Sequence, residues 1–168
     1  VYPATILKGD NSVSDNISIS FAGPGQHIDT GSKVIHIGKN TMSTVDARSI
    51  SIGGGWSFYR GLLKIGERAE NSKASVSCTG LMIDNKSKSD TVPIIEVLNA
   101  NSDVGHEAKI GRIKDEQIFY LMSRGLSELE AKGLIVKGFI QPVVQELPFE
   151  YAIELNRLVD MEIESSIG

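Results

Sequence analysis

Ile35-His36-Ile37-Gly38, Ile50-Ser51-Ile52-Gly53 and Leu63-Lys64-Ile65-Gly66 share one form, a short β-type run that stops at a glycine. Their first residues lie 15 and then 13 positions apart. Period-two patterning marks a strand with two unlike faces. A glycine at its end marks a place where the chain turns or another backbone approaches closely. Short strands repeated in this way, with glycine or asparagine corners, predict stacked coils of sheet, a β-helix or solenoid. A sandwich or small barrel is the rival that the pattern alone leaves open. Upstream, Ile17, Ile19 and Phe21 alternate with Ser18 and Ser20, which predicts one set inside and the other in water.

The character of the chain changes near Arg112–Asp115. Residues 1–112 hold 15 of the 19 serines and 13 of the 17 glycines, with 11 acids against 12 bases. Residues 113–168 hold 10 acids and 5 bases. A boundary is expected there, with a β core over 1–112 and a small α-helical region over 113–168. Asp115-Glu116 opens a helical segment in which Ile118, Leu121 and Met122 share a face, closing at Gly125. Ser127-Glu128-Leu129-Glu130 is a capping-box pattern. Leu134, Ile135 and Phe139 continue its stripe, and Pro142 is expected to interrupt it. Gly133 and Gly138 weaken this helix or permit close packing. Pro148 suits the first turn of a last helix carrying Phe149, Ala152, Ile153, Leu155 and Leu158.

Composition excludes several classes. The 168 residues carry a net charge of -4, which argues against a protein that binds nucleic acid by neutralising phosphates. No apolar run is long enough to span a bilayer. The single cysteine forbids an intrachain disulfide, and a cytoplasmic, reducing setting is the default. The chain starts at Val1 with no charged leader before an apolar core, so no signal peptide is read and a fragment of a longer protein is expected.

No phosphate-binding loop is present, since Gly53-Gly54-Gly55 runs into Trp56 with no lysine in place. No His-Glu-x-x-His motif and no Gly-x-Ser-x-Gly elbow occur. Asp84 and Asp90 flank the polar loop 85–89, but without an aromatic platform they make a poor carbohydrate cleft. Two places remain. Cys78 shares strand phase with Ala74, Val76 and Met82; it is either a small buried hydrophobe or a soft thiolate for iron, copper or sulfur. His106 and Glu107 are adjacent, so on a strand they point to opposite faces. They serve one metal only at a bulge, a strand end or a subunit interface.

The stretch Gly105-His106-Glu107-Ala108, Ile110-Gly111-Arg112-Ile113, Asp115-Glu116-Gln117-Ile118-Phe119-Tyr120-Leu121 and Ser123-Arg124-Gly125-Leu126 resembles the C-terminal half of the SufB/SufD family. These are scaffold proteins of the Suf iron–sulfur cluster assembly machinery. Ser57-Phe58-Tyr59-Arg60-Gly61, Pro93-Ile94-Ile95-Glu96-Val97, Gly138-Phe139 and Glu146-Leu147-Pro148 extend the resemblance from about residue 30 to the end.

The resemblance implies a right-handed parallel β-helix followed by C-terminal helices. It implies an assembly scaffold rather than an enzyme, carrying a transient iron–sulfur cluster. The implied partners are a sulfur donor protein, a SufB- or SufD-type subunit or a second copy, and SufC, an ABC-type ATPase docked by the helices. Cys78 falls at the family's scaffold cysteine, Glu107 at the carboxylate of its His-Glu-Ala segment, and His106 at a histidine found in both subfamilies. The three are the expected iron ligands. Gly105 stands where SufB-like members usually carry Glu, and the Gly-Arg-Ile wording leans toward SufD, whereas Cys78 and Glu107 lean toward SufB; a SufB-like scaffold that pairs with itself is the expectation. The alternative is therefore a SufD-like structural partner that ligates nothing. By the same resemblance, the family's N-terminal domain and first coils are expected to lie outside this stretch of sequence. One thiol cannot hold a cluster that usually takes four ligands, so the resemblance points to a site shared across a two-fold.

Overall fold

The computed structural model describes residues 1–167, with side chains to residue 165. Eight strands come first: β1 (Ala4–Leu7), β2 (Val13–Ala22), β3 (His27–His36), β4 (Met42–Ser51), β5 (Trp56–Ile65), β6 (Lys73–Met82), β7 (Lys88–Val97) and β8 (Asp103–Arg112). Odd strands form one parallel sheet in the order β1-β3-β5-β7, and even strands form a second, β2-β4-β6-β8. Successive strands therefore alternate between sheets, and the molecule is a two-sheet β-solenoid. One coil takes 29 residues between β2 and β4, and 32 between β5 and β7. The 15- and 13-residue recurrence is the half-coil, from one sheet to the other.

Two corners per coil make this possible, and they use different chemistry. From the odd to the even sheet the chain turns at Asn11, Asn40 and Asn71, each in the left-handed region with φ of 62, 54 and 55°. Asparagine tolerates that region better than other non-glycine residues. Each is followed by a hydroxyl residue, Ser12, Thr41 and Ser72, and Asn101-Ser102 keeps the period. The corners stack: the Asn40 amide donates to the Glu70 carbonyl and the Asn71 amide to the Asn101 carbonyl. The return corner uses Gly25, Gly53 and Gly54 at positive φ, and Asp84 in the last full coil. At Gly55 a Cβ would come within 2.1 Å of the Ala22 carbonyl oxygen in the coil below, so stacking itself demands glycine.

Two separate apolar cores result. Inside the solenoid lie Leu7, Val34, Val45, Ala47, Tyr59, Leu63, Ile65, Ala74, Val76 and Cys78. Outside the even sheet, Ile50, Ile52, Ile83 and Ile113 are buried beneath Val136, Ile140, Val144, Val159 and Ile163. These last come from α2 (Glu128–Val144) and α3 (Phe149–Ile167), which follow α1 (Asp115–Ser123).

This second core corrects the reading of β2. Ile19 and Phe21 face outward and pack beneath the helices, while Ser18 and Ser20 line the interior. The alternation is as read, but at Ile19 and Phe21 the outer face is covered as well, while Ile17 stays exposed. The three similar strings also sit in different ways. Leu63 and Ile65 point inward, Ile50 and Ile52 point outward under α2 and α3, and in the first string His36 alone is fully buried.

α2 does not stop at Pro142 as expected; it runs through it to Val144. A proline inside a helix costs about 3 kcal/mol. Burial of Ile140, Val143 and Val144 against the sheet offsets this, since each such side chain is worth roughly 1.5–3 kcal/mol. The Ser127–Glu130 capping box forms as read. Gly133 faces Ile163 of α3, and an added Cβ there would meet it at 4.0 Å; at Gly138 there is open space.

Candidate functional site

Cys78 lies on β6 with its side chain between the sheets and 3% exposed. Parallel pairing stacks it on Ala47 of the coil below and beneath Ala108 of β8. Small residues above and below leave the sulfur room within the interior seam. A small cavity beside it is lined by Ser18, Ser20, Thr30, Ser49 and Tyr59. The surroundings are thus richer in hydroxyls than an ordinary apolar core. Tyr59 Oη and Ser32 Oγ are hydrogen-bonded at 2.6 Å, and Ser49 Oγ and Ser89 Oγ at 3.1 Å.

Burial pushes the Cys78 thiol above its ordinary range, because a thiolate loses its hydration there. The Thr91 hydroxyl acts in the opposite sense, and the nearby Asp46 charge adds to the rise. In the closed coil the thiol is therefore protonated and weakly nucleophilic at neutral pH.

His106 pairs in register with Val76, and Glu107 with Ser77. Parallel neighbours point the same way, so His106 takes the interior phase with Cys78 while Glu107 points to the outer face. There Glu107 forms an ion pair with Lys109 at 2.7 Å. The structure thus puts two of the three expected ligands on one side of the last strand and the third on the other. Among the described residues no three His, Cys, Asp or Glu side chains converge to hold a metal ion.

β7 and β8 each pair on one side only and stand at the same end of the solenoid. Their interior positions, Pro93, Ile95 and Val97 on β7 and His106, Ala108 and Ile110 on β8, are exposed. His106 therefore belongs to an uncovered end, and Cys78 lies one strand beneath it.

Burial works against ionisation of Asp84, but donors from the Lys86, Gly53 and Ser87 amides and the Ser87 hydroxyl outweigh it and hold the carboxyl below its usual range. Asp84 is a corner anchor. Asp90 does have an aromatic neighbour, contrary to expectation: Trp56 Nε1 donates to it at 2.6 Å, and the indole stacks on His27 with centroids 4.3 Å apart.

The residues that sequence reasoning missed are Tyr59, Ser32 and Thr91. Their signal was geometric. With the corner at 83–87 identified, counting back along β6 and forward along β7 brings position 78 opposite position 91.

Residues 1–139 match the family described as SUF system FeS cluster assembly, SufBD core domain. The chain is 52% identical over 167 residues to the iron-sulfur cluster assembly protein SufB of Bacillus subtilis, covering 99% of this chain and 36% of that protein. It is 48% identical over the same length to a SufBD family protein of Staphylococcus haemolyticus, again covering 99% of this chain and 36% of that protein. It is 43% identical to a SufBD family protein of Mycobacterium leprae, covering 99% of this chain and 19% of that protein. The chain thus spans about a third or less of the length of these relatives.

Proposed function

Because the chain belongs to the SufBD core family of FeS cluster assembly proteins, we propose that it is a SufB-like scaffold, an assembly protein rather than an enzyme. It holds a nascent iron–sulfur cluster as cargo where the open end of its solenoid meets a second scaffold subunit. That subunit is SufB- or SufD-type, or another copy. Sulfur comes from a donor protein, residues 113–168 dock a SufC-type ABC ATPase, and the setting is cytoplasmic. No helix among the described residues is long and apolar enough to cross a membrane.

The observation that carries this reading is the placement of Cys78 one strand beneath an uncovered end, in the same interior phase as His106 on the terminal strand. A single thiol falls short of the ligands a cluster takes, and a two-fold partner doubles the set. Glu107, on the other face of the edge strand, joins such a set from across the subunit boundary. Ligation by one thiolate per chain, with nitrogen and oxygen for the rest, binds weakly, which suits a carrier that passes its cargo on. The interior site also implies a step: the terminal coil loosens before the protonated Cys78 thiol can ionise and bind iron. ATPase-driven movement of the docked helices supplies it, because α2 and α3 pack on the sheet that contains β6 and β8.

The test is Cys78→Ala in the native assembly, reconstituted anaerobically and read by visible absorption, with circular dichroism as the folding control. Loss of the cluster band with the fold intact is the expected result; an undiminished band removes Cys78 from the reaction. The second reading, a SufD-like partner that ligates nothing, is favoured by the burial of Cys78 and the pairing of Glu107 with Lys109. It predicts that the variant keeps cluster formation and SufC binding alike.

A further inference from the structure

Thr91 carries the one buried side-chain oxygen or nitrogen among the described residues with no well-formed hydrogen bond. Such a group needs a reason, because leaving a hydroxyl unpartnered away from water costs about 1–3 kcal/mol. Its neighbours are paired: Tyr59 with Ser32, and Ser49 with Ser89.

The topology shows what Thr91 faces. Thr91 stacks on Tyr59 in the odd sheet, and Tyr59 belongs to the same interior cluster as Cys78. β6 and β7 run in opposite directions on facing sheets. A Cβ on Gly80 would meet Ser89 Oγ at 2.4 Å, so positions 80 and 89 oppose each other. Two residues back along β6 and two forward along β7, the opposed pair is Cys78 and Thr91. The one buried hydroxyl among the described residues without a well-formed hydrogen bond thus stands across the seam from the chain's single sulfhydryl.

We propose that Thr91 is a positioning residue whose hydroxyl donates to the sulfur at Cys78 and fixes the direction in which that sulfur points. The role rests on the reading of Cys78 as a cluster ligand. A thiol is a poor acceptor, which explains why the hydroxyl lacks a good partner in the resting coil. A sulfur bearing negative charge or bound to iron is a better one, and hydroxyl donors around cluster sulfurs tune their chemistry. Thr91 is on the last strand of its sheet, so movement of the terminal coil makes or breaks this contact.

Two measurements on Thr91→Val and Thr91→Ser decide it. The chain has one cysteine, so its S–H stretching band in the infrared is a single reporter. Thr91→Val shifts that band and Thr91→Ser leaves it in place; a band unmoved by valine overturns the contact. In anaerobic reconstitution of the native assembly, valine lowers cluster yield about tenfold, the low end for outer-shell partners of metal sites, and serine restores it. Valine removes a hydroxyl whose partner is a poor acceptor, so its thermal midpoint equals or exceeds that of the parent, which separates the role from a structural one. A shifted band with an unchanged yield overturns the positioning role. If Cys78→Ala also assembles the cluster, the reading of Cys78 fails, while the infrared band still judges the contact.

Discussion

Single residues reveal how a solenoid interior differs from an ordinary core. His36 is fully buried and held by two hydroxyls, Thr41 Oγ1 at 2.7 Å from Nδ1 and Ser43 Oγ at 2.8 Å from Nε2. Desolvation holds its imidazole below the ordinary histidine range. The sign of the linkage follows. Below about pH 6.5 the unfolded chain takes up a proton that the folded chain resists, so folded stability falls as pH drops through that value. Urea midpoints at pH 7.5 and 5.5 should show this loss in the parent and a shallower one in His36→Gln. The variant is weaker at pH 7.5 by about 1–3 kcal/mol because the hydroxyls lose a partner. Identical slopes would show that carboxylates alone set the acid limb. His36 occupies the middle of the string that suggested the fold, yet its role could not be read there. Pattern showed a polar residue between two isoleucines, whereas its partners come from the next corner and the next strand. Cys78 is similar: its shared phase with Ala74 and Val76 is legible from spacing, but that this phase is interior and faces Thr91 requires the facing strand.

Elements carry the part of the fold that periodicity conveys well. Strand phase, the capping box at Ser127 and the change of character near residue 112 all follow from local chemistry. Two features escaped because a neighbouring layer decides them. Ile50 of β4 is buried, and Ile19 of β2 partly so, only because helices lie on that sheet, and α2 passes through Pro142 only because it is fastened there. Arg48 supplies part of the fastening. Its guanidinium donates to the Phe139 carbonyl at 2.6 Å, pairs with Asp46 at 3.0 Å and lies 5.7 Å from the centre of the Phe139 ring. Arg48→Ala should destabilise the folded chain by about 1.5–3 kcal/mol, the range for hydrogen bonds to a charged group. Amide exchange should accelerate in α2 before it does in β4. Uniform acceleration would mean that the helices hold without this contact. The corner ladder makes a companion prediction. Asn71→Ala forces a left-handed residue without the side chain that tolerates it and costs about 1–2 kcal/mol; Asn71→Gly, measured in the same urea titration, should recover most of that loss. The recurrence Asn11-Ser12, Asn40-Thr41, Asn71-Ser72, Asn101-Ser102 was present in the sequence at the full coil period. The half-coil strings stand out more strongly because they are apolar.

At the scale of the whole molecule, covered and uncovered apolar surface are distributed unevenly. The outer face of the even sheet is roofed by α2 and α3, whereas the terminal coil exposes Val92, Ile94, Ile95, Val97, Leu98 and Ile110. An unpaired sheet edge with exposed apolar side chains is a site for association. The chain that follows adds to the exposed apolar surface, since α1 buries none of its residues and leaves Phe119 73% exposed. The proposed function requires this end to be the subunit boundary, because His106 is uncovered only there and Cys78 is near the surface only there. Ile110 takes the same interior phase as His106 four residues farther along β8, and it is 44% exposed. Ile110→Lys should therefore weaken pairing with a second scaffold subunit by tenfold or more, since burying an unpaired ammonium costs several kcal/mol. The folded monomer should be unaffected because the side chain faces solvent in it. Ile37→Lys, at a corner position exposed to a similar degree, is the matched control. Sedimentation of both variants with the partner subunit separates the cases. Loss of the complex with lysine at 110 but not at 37 locates the boundary at the terminal coil and so beside His106. Equal association of the two variants would put the partner elsewhere and leave Cys78 without a second set of ligands, and with it the shared site would be lost.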